Sequence, residues 1–464
     1  MLHPQLIRFK SLVFSVYLCL VGCGTSVELY TSPDLNLPEV PAGVSEVISQ
    51  KDWWLAFQDP VLNTYVHESL KHNWDLVKAN TNVAQARENF VGVHALTSPS
   101  VSAGIDYSAS RRKLGIGTNE AEFHKVTRTL TTNLALGWEM DIWGRIEHMN
   151  EAAKARFISS ELMREAVQLS ITSLVVDSYF QLRTLQSKLQ AMQDFAENVE
   201  LISDLELRRW QSGLGTQFAY RQTEIDLMSA KSNVLLLQEA VGKSSLVLQA
   251  LLGRHPRDIS VLPPVADHSI QVAPVPDVLH TKILLRRPDV ASAEWSLKAA
   301  FADVNATRAE RYPRLGLSVI GGLLSSSSAW VSGTPSWLNT GLTSSVPFID
   351  GGLNASKVNA GIARRDYAKA QYHQAVLQAY TDLHQAVLEQ NTSDKQVALV
   401  SNELALRKQM LTLIQKSQKL GRVSLYEVYS EKLKVLQLQM ALSDAKQAQW
   451  LSRSHFYKAI GGGV

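Results

Sequence analysis

Apolar positions recur at alternating spacings of three and four along two long tracts. Leu182, Leu185, Leu189, Met192, Ala196 and Val199 form one series, and Leu227, Ala230, Val234, Leu237, Val241, Ser244, Leu248 and Leu251 form a second. This is the seam of a coiled coil. Proline, the main helix breaker, is absent between Pro99 and Pro256 and again after Pro347, so nothing interrupts such helices. A helix from Ile146 to Gln211 would be roughly 100 Å long at 1.5 Å per residue, a rod that no compact globular domain needs.

Other stretches have a period of two. Val101, Ala103, Ile105, Tyr107 and Ala109 alternate with Ser102, Gly104, Asp106 and Ser108, and the even positions from Leu130 to Met140 alternate with Thr131, Asn133, Ala135, Gly137 and Glu139. These read as strands with one apolar and one polar or small face. Leu315, Leu317 and Val319 start a second pair, which Leu338, Thr340, Leu342, Ser344, Val346 and Phe348 complete, with the segment Gly321 to Gly333 read as the connecting loop. Each segment alone would also suit a soluble half-buried strand. Four strands cannot close a barrel in one chain, so a membrane reading requires several chains to pool theirs.

The two sets of elements are copies of one unit. Gly213 and Gly421 stand 208 residues apart, as do Gly253 and Gly461, while Asp75 and Asp289, like Pro99 and Pro313, stand 214 apart. A constant offset over so long a span is the mark of duplication, and the change of six falls at the strand hairpins, where loop length varies most cheaply. The chain thus divides into a leader (1–22), an N-terminal extension (23–59), a first repeat (60–253), a proline-rich linker (254–287) and a second repeat (288–464). Each repeat is expected to hold a short helix, at about 60–95 and 289–312, then a strand hairpin and a pair of long helices.

Residues 1–22 have the form of an export leader, with Arg8 and Lys10 before the apolar run Leu12 to Val21, which is too short to span a bilayer comfortably. The run ends in Leu20-Val21-Gly22-Cys23, which resembles the bacterial lipobox and implies lipidation at Cys23; Gly24 after the cysteine is associated with the outer membrane. Of the two cysteines only Cys23 survives removal of the leader, so no intramolecular disulfide is expected. Losing Arg8 and Lys10 takes the formal charge from +3 to +1, which gives no case for a nucleic-acid partner. No later run of eighteen apolar residues suggests a membrane helix, so a membrane crossing would have to be a β-barrel.

Several short motifs fall in order on this frame: Trp53-Trp54 with Phe57 and Asp59, Asn73-Trp74-Asp75-Leu76, Leu285 to Val290 with Ala293-Glu294, Pro347 to Gly352, and Tyr457 to Gly463. Together they resemble the outer membrane efflux proteins, the exit ducts of tripartite pumps, in their lipoprotein branch. The resemblance implies an α+β membrane protein in which three chains form one 12-stranded β-barrel continued by a periplasmic α-barrel. It further implies a passive duct for small molecules such as drugs or toxic compounds, lipid-anchored in the outer membrane, with a periplasmic adaptor and an inner membrane pump as partners. A protein-secretion duct of the same fold and a lipid-anchored periplasmic scaffold without a pore are the alternatives.

By the same resemblance, function lies at the two helix turns. Gly213, Leu214 and Thr216 on the first, and Gly421, Arg422 and Ser424 on the second, would touch the adaptor. Glu427 would face the pore axis as a gate carboxylate, although a solvated carboxylate near a helix N-terminus is the plainer reading. Ser430, Ala219 and Gln222 are uncharged at positions where further carboxylates could stand, so a weak acidic gate is expected. Arg286-Arg287-Pro288-Asp289 reads as a helix start rather than a binding site, and Trp53-Trp54 as packing. The 12 His have no metal-ligand spacing, and no nucleophile elbow or phosphate-binding glycine loop occurs, so neither cofactor, metal nor enzymatic activity is expected.

Overall fold

The computed structural model describes residues 27–31, 52–114, 123–255, 281–326 and 335–462. The leader, Cys23, the linker prolines and Gly463 lie outside these. A 3-10 turn, Trp53–Phe57, precedes helices α1 (Pro60–His72) and α2 (Trp74–Ala95), strands β1 (Ser100–Leu114) and β2 (Phe123–Met140), and helices α3 (Arg145–Gln211) and α4 (Gln217–Leu251). After a second 3-10 turn, Thr281–Arg286, come α5 (Pro288–Ala309), β3 (Arg314–Ser326), β4 (Ser336–Ser345), α6 (Leu353–Lys419) and α7 (Leu425–Ala459). The duplication recurs in element lengths: α3 and α6 each have 67 residues, α4 and α7 each 35, and α2 and α5 each 22.

Contacts divide the chain into two compact units, each drawing on both copies. The first combines residues 1–34, 83–159 and 293–372, and the second residues 35–82, 160–292 and 373–464.

The first unit holds the sheet, antiparallel in the order β1-β2-β3-β4. Its register sets Ile105 opposite Thr132 and Thr132 opposite Leu323, and it sets Tyr107 opposite Leu130, Leu134 opposite Gly321, and Leu317 between Trp138 and Leu342. Directly opposed residues share a face, so the apolar positions of both copies lie on one side, with Asp106, Thr131, Asn133, Ser318 and Asn339 on the other. Ile320, Leu324 and Trp337 are among the apolar exceptions on the polar face. Val101, Ile105, Tyr107, Leu134, Leu338 and Leu342 are nonetheless exposed.

Three expectations are corrected here. Gly321 and Gly322 continue β3 instead of opening a loop, because a Cβ at Gly322 would run into the Thr132 carbonyl and the β2 backbone. Strand β4 stops at Ser345, ahead of Val346, Pro347 and Phe348, since proline has no N–H for the ladder. The helix expected over 60–95 is two helices: Asn73 leaves helical geometry, caps α2 through Oδ1 to the N–H groups of Asp75 and Leu76, and donates its Nδ2 to the Leu251 carbonyl.

In the second unit the predicted seams are buried or half-buried. Ala196 and Val199 of α3 pack on Ala230 of α4, flanked by Leu227 and Val234. A larger core gathers Trp53, Trp54 and Phe57 with Tyr179 and Phe180 of α3 and Leu248 of α4. Trp53 stacks on Tyr457 at 5.4 Å, so the tryptophan pair is packing. Asp59 caps α1 through Oδ1 to the N–H groups of Val61 and Leu62, at 2.9 and 3.2 Å, and its Oδ2 accepts from the Tyr179 hydroxyl. Arg287 is buried; its guanidinium meets Asp289 and Asp382, and its Nη1 donates to the Ala459 carbonyl, while Pro288 starts α5. The tryptophan pair as packing and the Arg286–Asp289 stretch as a helix start are as read from the sequence.

His455 of α7 stands between Glu389 of α6, 2.9 Å from Nδ1, and Asp177 of α3, 3.7 Å from Nε2. Asp177 and Glu389 together outweigh burial and push the imidazole pKa from 6.5 up to about 9. A folded pKa above the unfolded one means that the protonated imidazole stabilises the fold, fully below pH 6.5 and progressively less as pH rises through about 9. Thermal midpoints of wild type and His455→Gln should therefore differ most near pH 6 and converge above pH 9; a constant gap across that range would refute the ion triad.

Candidate functional site: the two helix tips

The turns joining α3 to α4 and α6 to α7 are built alike. In each, a glycine takes positive φ just after the helix, Gly213 at 76° and Gly421 at 72°. The next N–H reaches back five residues, from Leu214 to the Arg209 carbonyl (2.8 Å) and from Arg422 to the Ser417 carbonyl (3.0 Å). This satisfies carbonyls that a helix end leaves open, and only glycine enters the left-handed region without cost. The following helix is then capped by a hydroxyl: Thr216 Oγ1 accepts from the Ala219 N–H at 3.1 Å, and Ser424 Oγ from the Glu427 N–H at 3.3 Å.

This geometry leaves Gly213, Leu214, Thr216, Gly421, Arg422 and Ser424 exposed. Glu427 is exposed in the first turn of α7, where the helix dipole favours a carboxylate.

Sequence reading missed the second carboxylate of this turn. Glu431, one helical turn after Glu427, has a side chain only 4% exposed and bonds to Arg407 of α6 at 3.0 Å and Lys434 at 3.2 Å. Burial would raise its pKa, but these two cations outweigh burial and lower it. It therefore fastens α6 to α7 as a carboxylate. The four-residue step from Glu427 was the available signal. On the first hairpin the equivalent stiffening is aromatic, with Trp210 stacked on Tyr220 at 5.7 Å and the Tyr220 hydroxyl donating to Glu224 at 2.7 Å. Among the described residues no group of three His, Cys, Asp or Glu is placed to hold a metal.

The described residues thus form a helix-dominated α+β chain with a sheet mostly apolar on one face and exposed hairpin tips. The chain belongs to the outer membrane efflux protein family, whose profile matches residues 65–254 and 279–462. It is 26% identical to the pyoverdine export outer membrane protein OpmQ of Pseudomonas putida, over 96% of each chain. It is 25% identical to the cation efflux system protein CusC of Escherichia coli, over 98% of this chain and 99% of that one. The crystal structure of the Campylobacter jejuni CmeC outer membrane channel shares its fold, with a TM-score of 0.82, 22% identity and 95% coverage of each chain. The protein is an outer membrane channel of an efflux pump.

Proposed function

We propose that three copies close one 12-stranded barrel in the outer membrane and continue it as a helical duct through the periplasm, as a passive exit for small molecules driven by an inner membrane pump. The observation that carries this is the sheet. Its apolar face is exposed, its end strands β1 and β4 have no further neighbour among the described strands, and open edges are not tolerated in lipid. Each of two helices also exposes an apolar row at heptad spacing, Ile225, Met228 and Leu235 on α4 and Leu399, Leu406 and Leu413 on α6. By length and composition α4 could cross a membrane, because its polar residues are mostly uncharged. Yet with one seam already buried, its second row suits a neighbouring helix better than lipid.

Cys23 is the proposed lipid anchor. The six exposed tip residues are proposed to meet the hairpins of a periplasmic adaptor, and Glu427 to ring the constriction, where three carboxylates would favour cations. Relatives named for pyoverdine and for cations match this chain almost equally well, which fits cargo being chosen by the pump.

In planar bilayers, Glu427→Ala should keep the trimeric pore and reduce its preference for cations. A trimeric pore with unchanged selectivity would remove Glu427 from the gate, and a monomer that never inserts would remove the duct.

A further inference from the structure

The first unit contains a small cavity, about 100 Å³, where both hairpins of the sheet meet the helices. Its wall includes Trp143, three residues after β2 ends, and Arg311 and Tyr312, just before β3 begins, together with His148, Asn305 and Arg308. The sheet's last apolar rung, Met140 opposite Leu315, is thus only a few residues away along both strands.

Most of these polar groups are already engaged. Asn305 spends its amide on the backbone of the N-terminal segment, accepting from the Glu28 N–H and donating to the Glu28 carbonyl, both at 3.1 Å. Arg308 pairs with the Glu28 carboxylate at 3.0 Å, His148 with Glu151 at 2.9 Å, and Trp143 Nε1 donates to the Pro313 carbonyl at 2.9 Å while its ring stacks on Tyr312. Two groups are not. The Arg311 guanidinium forms no ion pair and the Tyr312 hydroxyl has no hydrogen-bond partner among the described residues. Asp350 acts on Arg311 only through its field, its own oxygens accepting from the N–H groups of Gly352 and Asn354.

We infer that this cavity holds the phosphodiester of a membrane phospholipid, gripped by Arg311 and Tyr312, with the acyl chains against the apolar face of the sheet. Among the described residues no acidic one lines the cavity, and three basic ones do. A guanidinium fork and a hydroxyl donor match phosphate oxygens. The volume is far below the roughly 300–1,000 Å³ of pockets for drug-sized molecules, so it suits a headgroup and not a cargo molecule. A tryptophan and a tyrosine with apolar bodies and polar tips, beside an exposed apolar sheet, are what the edge of a bilayer selects. This inference rests on the sheet lying in lipid.

The test uses the full-length protein, stripped of lipid in non-ionic detergent and titrated with dioleoylphosphatidylglycerol or with dioleoylglycerol, which has the same chains and no phosphate. Bound lipid is counted by native mass spectrometry. Wild type should retain the phospholipid saturably and the diacylglycerol hardly at all. Arg311→Gln, an exposed change that breaks no ion pair, should raise the half-saturating concentration about tenfold, the worth of one charge-assisted hydrogen bond. Tyr312→Phe keeps the stack on Trp143 and should weaken retention less. Equal retention by wild type and Arg311→Gln, or of both lipids, would overturn the site. Equal stabilisation by free glycerol 3-phosphate would assign the cavity to a soluble phosphate and overturn the lipid. A protein that retains the phospholipid yet never inserts into vesicles would sink the membrane reading of the sheet instead.

Discussion

Replacing Asp59 by alanine is expected to cost about 3–5 kcal/mol, the usual penalty for breaking a buried ion pair by removing one partner. Asp59 is 5% exposed, Tyr179 is completely buried, and the side chain of Arg183 is 8% exposed. One carboxylate serves three clients: the first turn of α1, the Tyr179 hydroxyl at 2.5 Å and the Arg183 guanidinium at 3.4 Å. Burial, and then the hydrogen bond to Asp59, push the Tyr179 phenol far above its ordinary pKa, so it stays a donor at every physiological pH. Tyr179→Phe removes one charged hydrogen bond and should cost less, about 1.5–3 kcal/mol. The exposed pair Lys78 and Asp75 is geometrically close, at 2.6 Å, but breaking it should leave stability almost unchanged, because solvent screens it. Chemical denaturation of the three variants checks the order; an Asp59→Ala protein as stable as wild type would show that the junction contributes nothing.

Asp59 also marks where sequence reasoning reaches its limit. The motif Trp53-Trp54 with Phe57 and Asp59 was legible as a group, and its tryptophans as packing, but the residues that Asp59 meets lie 120 and 124 positions away. No local pattern points to them. What local rules govern was readable: the seams on α3 and α4, the start of α5 at Pro288 and the glycine turns at both tips depend on period or φ, whereas the break at Asn73 that starts α2 was not read. Glu431 was missed because its burial depends on Arg407 on another helix. Gly321 and Gly322 misled for a related reason. Glycine marks both turns and places where another backbone comes close, and only the pairing of β2 with β3 distinguishes the two.

The same sheet supplies the largest functional effect. Leu134 and Thr131 lie three residues apart on β2, hence on opposite faces, and Leu134 is 61% exposed. If the apolar face meets hydrocarbon, Leu134→Arg should weaken insertion by about 2–4 kcal/mol per copy, the cost of an arginine near the middle of the bilayer, or roughly thirty- to a thousandfold in the insertion equilibrium. Thr131→Arg adds the same charge to the polar face, opposite Asp106, and should insert normally while shifting the pore's selectivity away from cations. The fraction of protein protected in vesicles measures the first effect and reversal potentials in planar bilayers the second. Equal insertion of both variants would show that neither face meets lipid, whereas failure of Thr131→Arg alone would invert the sheet and put the polar face outside. Only the predicted asymmetry is consistent with a barrel whose lumen is lined by Asp106, Thr131 and Asn133.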